Sequence, residues 1–120
     1  MVLFNRMTLP GRDWRAARDW YVTHLGFSPE WENPQLDLAA ISDASGFKIF
    51  LCEGESAANA QLAFALEVDD VERRYQAMTR AGVTFEHGPQ KTFWGYGAEA
   101  RDPNDYVLRL WDARSMREKG

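Results

Sequence analysis

The sequence predicts a single α+β domain built from two copies of one strand–helix–strands unit. Three observations predict it. Two helical stretches of equal length each begin at an aspartate and end at a glycine, 13–26 and 69–82. An alternating strand precedes each helix, and a run of short strands follows each. The order is the same in both halves, which is the signature of an internal duplication. At 120 residues the chain suits one domain. A domain of this size buries ~65% of the surface its unfolded chain exposes, so one hydrophobic core suffices without disulfides.

The elements follow in order. Residues 2–9 alternate loosely and read as a strand, which Pro10-Gly11 breaks. Asp13 is an N-cap for a helix from Trp14 to Leu25, with Trp14, Ala17, Trp20, Tyr21 and His24 on one face. Gly26 follows as a C′ residue, where left-handed backbone costs glycine little. Short strands are expected at 27–32, 36–41 and 47–52, with turn chemistry at 42–46. In the last of these, Phe47, Ile49 and Leu51 share one face, and Lys48, Phe50 and Cys52 the other. Module one thus covers 1–53, and the small polar stretch 54–60 is a linker. Module two covers 61–112. Its strand 61–68 sets Leu62, Phe64, Leu66 and Val68 on one face. Asp69 and Glu72 resemble a capping box, and Val71, Tyr75, Met78 and Ala81 form an amphipathic stripe closed by Gly82. Strands at 83–86, 94–101 and 106–111 complete the copy, with a turn at 102–105. Residues 113–120 read as a charged, frayed tail.

Composition narrows the function. Fourteen basic and eighteen acidic residues give a net charge of −4, which argues against a nucleic-acid backbone as partner. No apolar run approaches the ~18 residues of a membrane span, and the N-terminus lacks the pattern of a signal peptide. Cys52, the one cysteine, has no partner for an intrachain disulfide. A cytoplasmic location is the expectation. Five Trp, four Tyr and seven Phe suit either a small-molecule pocket or a core filled with large side chains.

The segment from Asp13 to Phe27, with its Trp20-Tyr21 and Leu25-Gly26-Phe27, resembles the first-helix signature of the glyoxalase/bleomycin-resistance/dioxygenase (vicinal-oxygen-chelate) superfamily. The run Val68-Asp69-Asp70-Val71 and the later Ala81-Gly82-Val83 resemble the second-module signature. Asp102-Pro103-Asn104-Asp105 resembles the turn before the final strand, with Asp105 where the family usually has glycine. The resemblance covers nearly the whole chain. It implies two βαβββ modules forming a curved mixed sheet around a cavity, and a homodimer. Metal-dependent members of the family use His and Glu from the first and last strands of each module. Carried over, those positions fall on Arg6, Phe50, Ala63 and Arg109. None offers a metal a lone pair, and two are fixed cations. The resemblance therefore implies a member with no metal and no cofactor.

Other chemistry is thin. No phosphate-cradling glycine pattern or serine nucleophile motif is present. Cys52 has no activating partner in the sequence. His24 and His87 read as structural or solvated, His87 in a loop beside Gly88-Pro89. Glu67 and Glu99 share the inward face of their strands, either as an acid/base pair or as counter-charges to Arg6 and Arg109. Three readings stay open. The first is a metal-free binding protein for an anionic or aromatic small molecule, as the resemblance to bleomycin-resistance proteins implies. Its ligand would meet Arg6, Lys48, Phe50, Ala63, Glu67, Trp94, Tyr96, Glu99, Arg109 and Trp111. The second is a glyoxalase-like lyase, isomerase or dioxygenase with non-standard active-site residues. The third is an interaction domain whose cavity is plugged by Arg6, Phe50 and Trp111.

Overall fold

A computed structural model describes residues 1–120. The chain divides into two compact units, Met1–Ala57 and Ala58–Gly120. Each carries one four-stranded mixed sheet with a βαβββ order.

In the first unit, β1 (Arg6–Gly11) leads to α1 (Trp14–Leu25), then β2 (Ser28–Asn33), a 3₁₀ turn (Pro34–Leu36), β3 (Leu38–Ser42) and β4 (Lys48–Glu53). The sheet order is β1-β4-β3-β2, with β1 parallel to β4 and the other pairs antiparallel. The α1 boundaries match those read from the sequence. Asp13 accepts from the Ala16 N–H at 3.1 Å, and Gly26 ends the helix at φ +71°. The helix buries Trp14, Ala17 and Tyr21, and β3 and β4 bury Ala39, Ile41, Ile49 and Leu51. Trp20 and His24 sit beside that stripe, half-buried, with their rings 5.4 Å apart.

In the second unit, β5 (Ala63–Glu67) leads to α2 (Val71–Arg80), β6 (Phe85–Thr92), β7 (Gly95–Arg101), β8 (Val107–Trp111) and α3 (Ala113–Lys119). The order is β5-β8-β7-β6, again with the first strand parallel to the last. Val71 and Met78 of α2 are buried, as are Ala98, Ala100, Leu108 and Leu110 of the sheet. Tyr75 meets Phe85 edge to face at 4.8 Å. No helix is long and apolar enough to cross a membrane.

Several boundaries depart from the sequence reading. The first strand starts at Arg6, not residue 2, and runs through Pro10-Gly11 instead of ending there. Likewise β6 runs from Phe85 to Thr92 through Gly88-Pro89, so His87 lies in a strand and not a loop. The reason is shared. Pro10, Pro29 and Pro89 all sit on edge strands (β1, β2 and β6), where a missing N–H breaks no ladder bond. Bulges in β6 on either side of His87 absorb the irregularity.

The cap of α2 is Asp70, not Asp69. Its carboxylate accepts from the Arg73 N–H at 3.1 Å. Glu72 is then the second helical residue, not the third that a capping box requires, and its carboxylate accepts the Tyr96 hydroxyl at 2.7 Å. The turn before β8 holds Asp105 at φ +68°, a left-handed conformation that Asp tolerates better than most residues. Asp102 stabilises that turn by accepting from the Asn104 and Tyr106 N–H groups.

The charged tail is not frayed. It forms α3, capped by Asp112 through the Ser115 N–H at 2.6 Å. The same carboxylate accepts the Val71 N–H at 2.7 Å, so one buried aspartate serves the starts of two helices. Burial alone would push the Asp112 carboxyl up. The hydrogen bonds from Val71 and Ser115, helped by the charge of Arg114, outweigh burial and hold it below the usual aspartate value.

Asp112→Ala should therefore lower stability at neutral pH by about 2 kcal/mol, as it removes one cap and strands a buried N–H. A lowered folded-state value means that the carboxylate's contribution is complete above the unfolded aspartate value of about 3.9 and fades as the pH falls through the folded one. The stability gap between wild type and variant should narrow in acid. Urea unfolding at pH 7 and pH 3 measures both, and a gap that is absent at pH 7 or widens at pH 3 refutes this role.

Candidate functional site

The sheet of each unit has one face under its helix and one face without it. In the second unit the parities separate cleanly. Phe64, Leu66, Leu108, Leu110, Ala98 and Ala100 alternate with Ala63, Ala65, Glu67, Val107, Arg109, Trp111, Gly97 and Glu99. Phe85, opposite Ala100 in register, contacts Tyr75 of α2 and so fixes the helix side. The second set therefore occupies the helix-free face.

Arg109 is the centre of that face. Its Nε donates to Glu99 Oε1 at 3.2 Å, across the β7–β8 register. Both side chains are about a quarter exposed or less, 24% for Arg109 and 20% for Glu99. The guanidinium also lies 5.1 Å from the Phe93 ring centroid and 5.6 Å from that of Trp94. The two Nη groups make no hydrogen bond to protein. Their remaining donors form a fork suited to a carboxylate or enolate oxygen.

Trp94 reaches this face by a route the sequence did not reveal. Phe93 and Trp94 are not strand residues; they form the two-residue hairpin turn between β6 and β7. The Thr92 hydroxyl oxygen accepts the Trp94 N–H at 3.2 Å and holds the turn. The indole then folds back over Gly97, where an added Cβ would stand 2.6 Å from the ring. Phe93 is 90% exposed at the tip. Nothing in the strand pattern of the sequence places it beside Arg109.

Tyr96 does not join the group. It lies on the helix side, where its hydroxyl bonds Glu72 and its ring lies 5.0 Å from Lys119 Nζ of α3. The Glu72 bond, then burial, then the charges of Glu72 and Asp112 push its phenol above the usual tyrosine value. Glu67, exposed at the end of β5, is opposite Trp111 in register, and Ala63 is opposite Val107.

The first unit brings Arg6, Lys48 and Phe50 together on its own sheet. Arg6 is opposite Lys48 in register, and its guanidinium carbon is 5.0 Å from the Phe50 centroid. Trp31 of β2 meets Phe50 edge to face at 5.2 Å. Phe50 is opposite Thr8 just as Arg109 is opposite Ala65, so the two occupy equivalent places in the duplicated modules.

The metal chemistry of metal-dependent relatives can be tested against these side chains. At the corresponding positions stand two guanidinium groups, a phenyl ring and a methyl group. No group of three or more His, Cys, Asp or Glu side chains is placed to hold a metal ion. The nearest carboxylate, Glu99, already has Arg109 as counter-charge. The donor set does not fit a divalent cation.

A family model described as the Glyoxalase/Bleomycin resistance protein/Dioxygenase superfamily matches residues 3–110. No curated protein sequence matches the chain significantly. Solved structures with the same fold include TnmS3, an antibiotic binding protein from Streptomyces sp. CB03234, at 23% identity and TM-score 0.77, covering 93% of this chain and 96% of that one. The lactoylglutathione lyase of Agrobacterium tumefaciens aligns at 16% identity and TM-score 0.76, covering 95% and 96%. TioX from Micromonospora sp. ML1 aligns at 21% identity and TM-score 0.71, covering 91% and 97%. At these identities the likeness establishes the fold.

The seat of Trp94 is testable. Gly97→Ala places a methyl group against the indole and 2.2 Å from the Leu110 carbonyl oxygen. It should cost about 2 kcal/mol, as overpacking does, and should release Trp94 into solvent, read as a red shift in fluorescence. The shift should vanish in a Trp94→Phe background. A variant as stable as wild type refutes the packing argument.

Proposed function

We propose that this chain, which belongs to the Glyoxalase/Bleomycin resistance protein/Dioxygenase superfamily, binds a small anionic or aromatic organic molecule without a metal ion. The observation that carries the reading is Arg109. It is a guanidinium held in place by Glu99, with two aromatic rings within 5.6 Å of it, and left with unused donors. Such an arrangement has little value for stability. A partly exposed ion pair contributes about 1 kcal/mol or less. It has considerable value for recognition, because a flat ligand stacks on the rings while its acidic oxygen meets the fork. The antibiotic-binding description of TnmS3 supports a binding role within this fold. An enzymatic reading built on Glu99 as a base has less support, since that carboxylate is already engaged by a fixed cation. The Arg6–Phe50–Trp31 group repeats the cation-and-aromatic theme in the first module.

Three outcomes test the proposal. Elemental analysis of the purified protein should find far less than one zinc, nickel, iron or manganese per chain, and near-stoichiometric metal would overturn it. In thermal-shift screening, aromatic carboxylates such as 2-naphthoate should raise the melting temperature. Arg109→Ala should then weaken that binding by about tenfold or more, the usual scale for a charge-assisted hydrogen bond, while stability falls by only about 1 kcal/mol. Undiminished binding by a folded variant would remove Arg109 from the site.

We propose further that the protein is a homodimer. Val2, Leu3 and Phe4 are exposed, Phe4 at 97%, and each sheet has open edges, features that favour association. Light scattering across the micromolar range should give twice the chain mass; a monomer's mass throughout would refute it.

A further inference from the structure

His87 shares the helix-free face with Arg109. In register it stands opposite Glu99, which stands opposite Arg109, so the three form one row across β6, β7 and β8. The next residue, Gly88, confirms the orientation: a Cβ there would lie 3.0 Å from the Tyr75 ring of α2, so Gly88 faces the helix and His87 faces away. The His87 Nδ1 lies 2.8 Å from the Gly88 carbonyl oxygen. A carbonyl only accepts, so in the neutral tautomer that keeps this bond Nδ1 carries the hydrogen and Nε2 offers a lone pair. No protein group meets that nitrogen.

The row thus offers hydrogen-bond donors at one end and an acceptor at the other. Two strand spacings of ~4.8 Å separate the backbones of Arg109 and His87 by about 10 Å. Trp94 supplies a flat surface beside the row. Resting on the function proposed above, we infer that His87 determines specificity, and that the ligand class is a fused-ring aromatic acid with a hydroxyl group at the end remote from its acidic oxygen. The acid meets the Arg109 fork, the rings lie along Trp94, and the hydroxyl donates to His87 Nε2. One buried hydrogen bond of this kind is expected to give roughly fivefold discrimination.

The test measures wild-type affinity for 6-hydroxy-2-naphthoate, 2-naphthoate and 6-methoxy-2-naphthoate by calorimetry. The hydroxyl compound should bind about fivefold more tightly than the other two, since the methoxy group accepts but does not donate. His87→Phe keeps a ring and loses the acceptor. His87→Asn keeps a donor for the Gly88 carbonyl, but its one acceptor, Oδ1, lies nearer the backbone and leaves the Nε2 position empty. In both, the preference should collapse to within about twofold; Arg109→Ala should weaken all three acids equally. A preference that survives in both His87 variants, or a wild type that treats the three alike, overturns the inference and leaves the binding function standing. Failure of the wild type to bind any of the three at millimolar concentration overturns the anionic-aromatic reading, and the His87 inference with it.

Discussion

In each module the first strand runs parallel to the fourth, and the placement of Arg6, Lys48, Phe50, Ala63 and Arg109 follows from that pairing. A parallel pair cannot be closed by a hairpin; it needs a crossover, here the helix. The crossover covers one face of the sheet and leaves the other uncovered. Register then decides which residues reach the uncovered face, because a slip of one residue would turn every side chain over. With Ala65 opposite Arg109 and Glu99 opposite Arg109, the cation and its counter-charge are bound to meet on the same side. The first module repeats the geometry with Thr8 opposite Phe50, so one backbone plan presents a phenyl ring in one copy and a guanidinium in the other.

The edges of the sheets carry the irregularity that shapes the site. The second sheet ends in β6, which tolerates Pro89 and two register shifts because nothing pairs with its outer side in this unit. Those shifts set His87 in line with Glu99 and lead into the tight Phe93-Trp94 turn. Trp94 folds inward only because Gly97 leaves room for it. Phe93, at the same tip, stays 90% exposed even though its ring lies 5.1 Å from the Arg109 guanidinium. Asp112, at the far end of β8, ties the start of α2 and the start of α3 to the strand that carries Arg109.

The sequence by itself determined the architecture. The boundaries of α1 were legible because Asp13, an apolar stripe and Gly26 all act within the helix they delimit, and the duplication was legible because it repeats those same local signals. The pairing of Arg109 with Glu99 was half visible, since strand parity is local although the partner strand is not. What only the tertiary structure decided lies where contacts are distant in sequence. Prolines looked like strand ends until sheet order put them on edges. Glu72, which read as half of a capping box, is instead committed to Tyr96, 24 residues away. Asp112 made a helix of residues that read as a frayed tail. Phe93 came beside Arg109, His87 came opposite Glu99, and Tyr96 went to the helix side, through a turn and a bulge whose register is set by β7 and not by their own neighbours. Periodicity is a property of a segment, whereas the company a side chain keeps on a sheet is a property of the strand beside it.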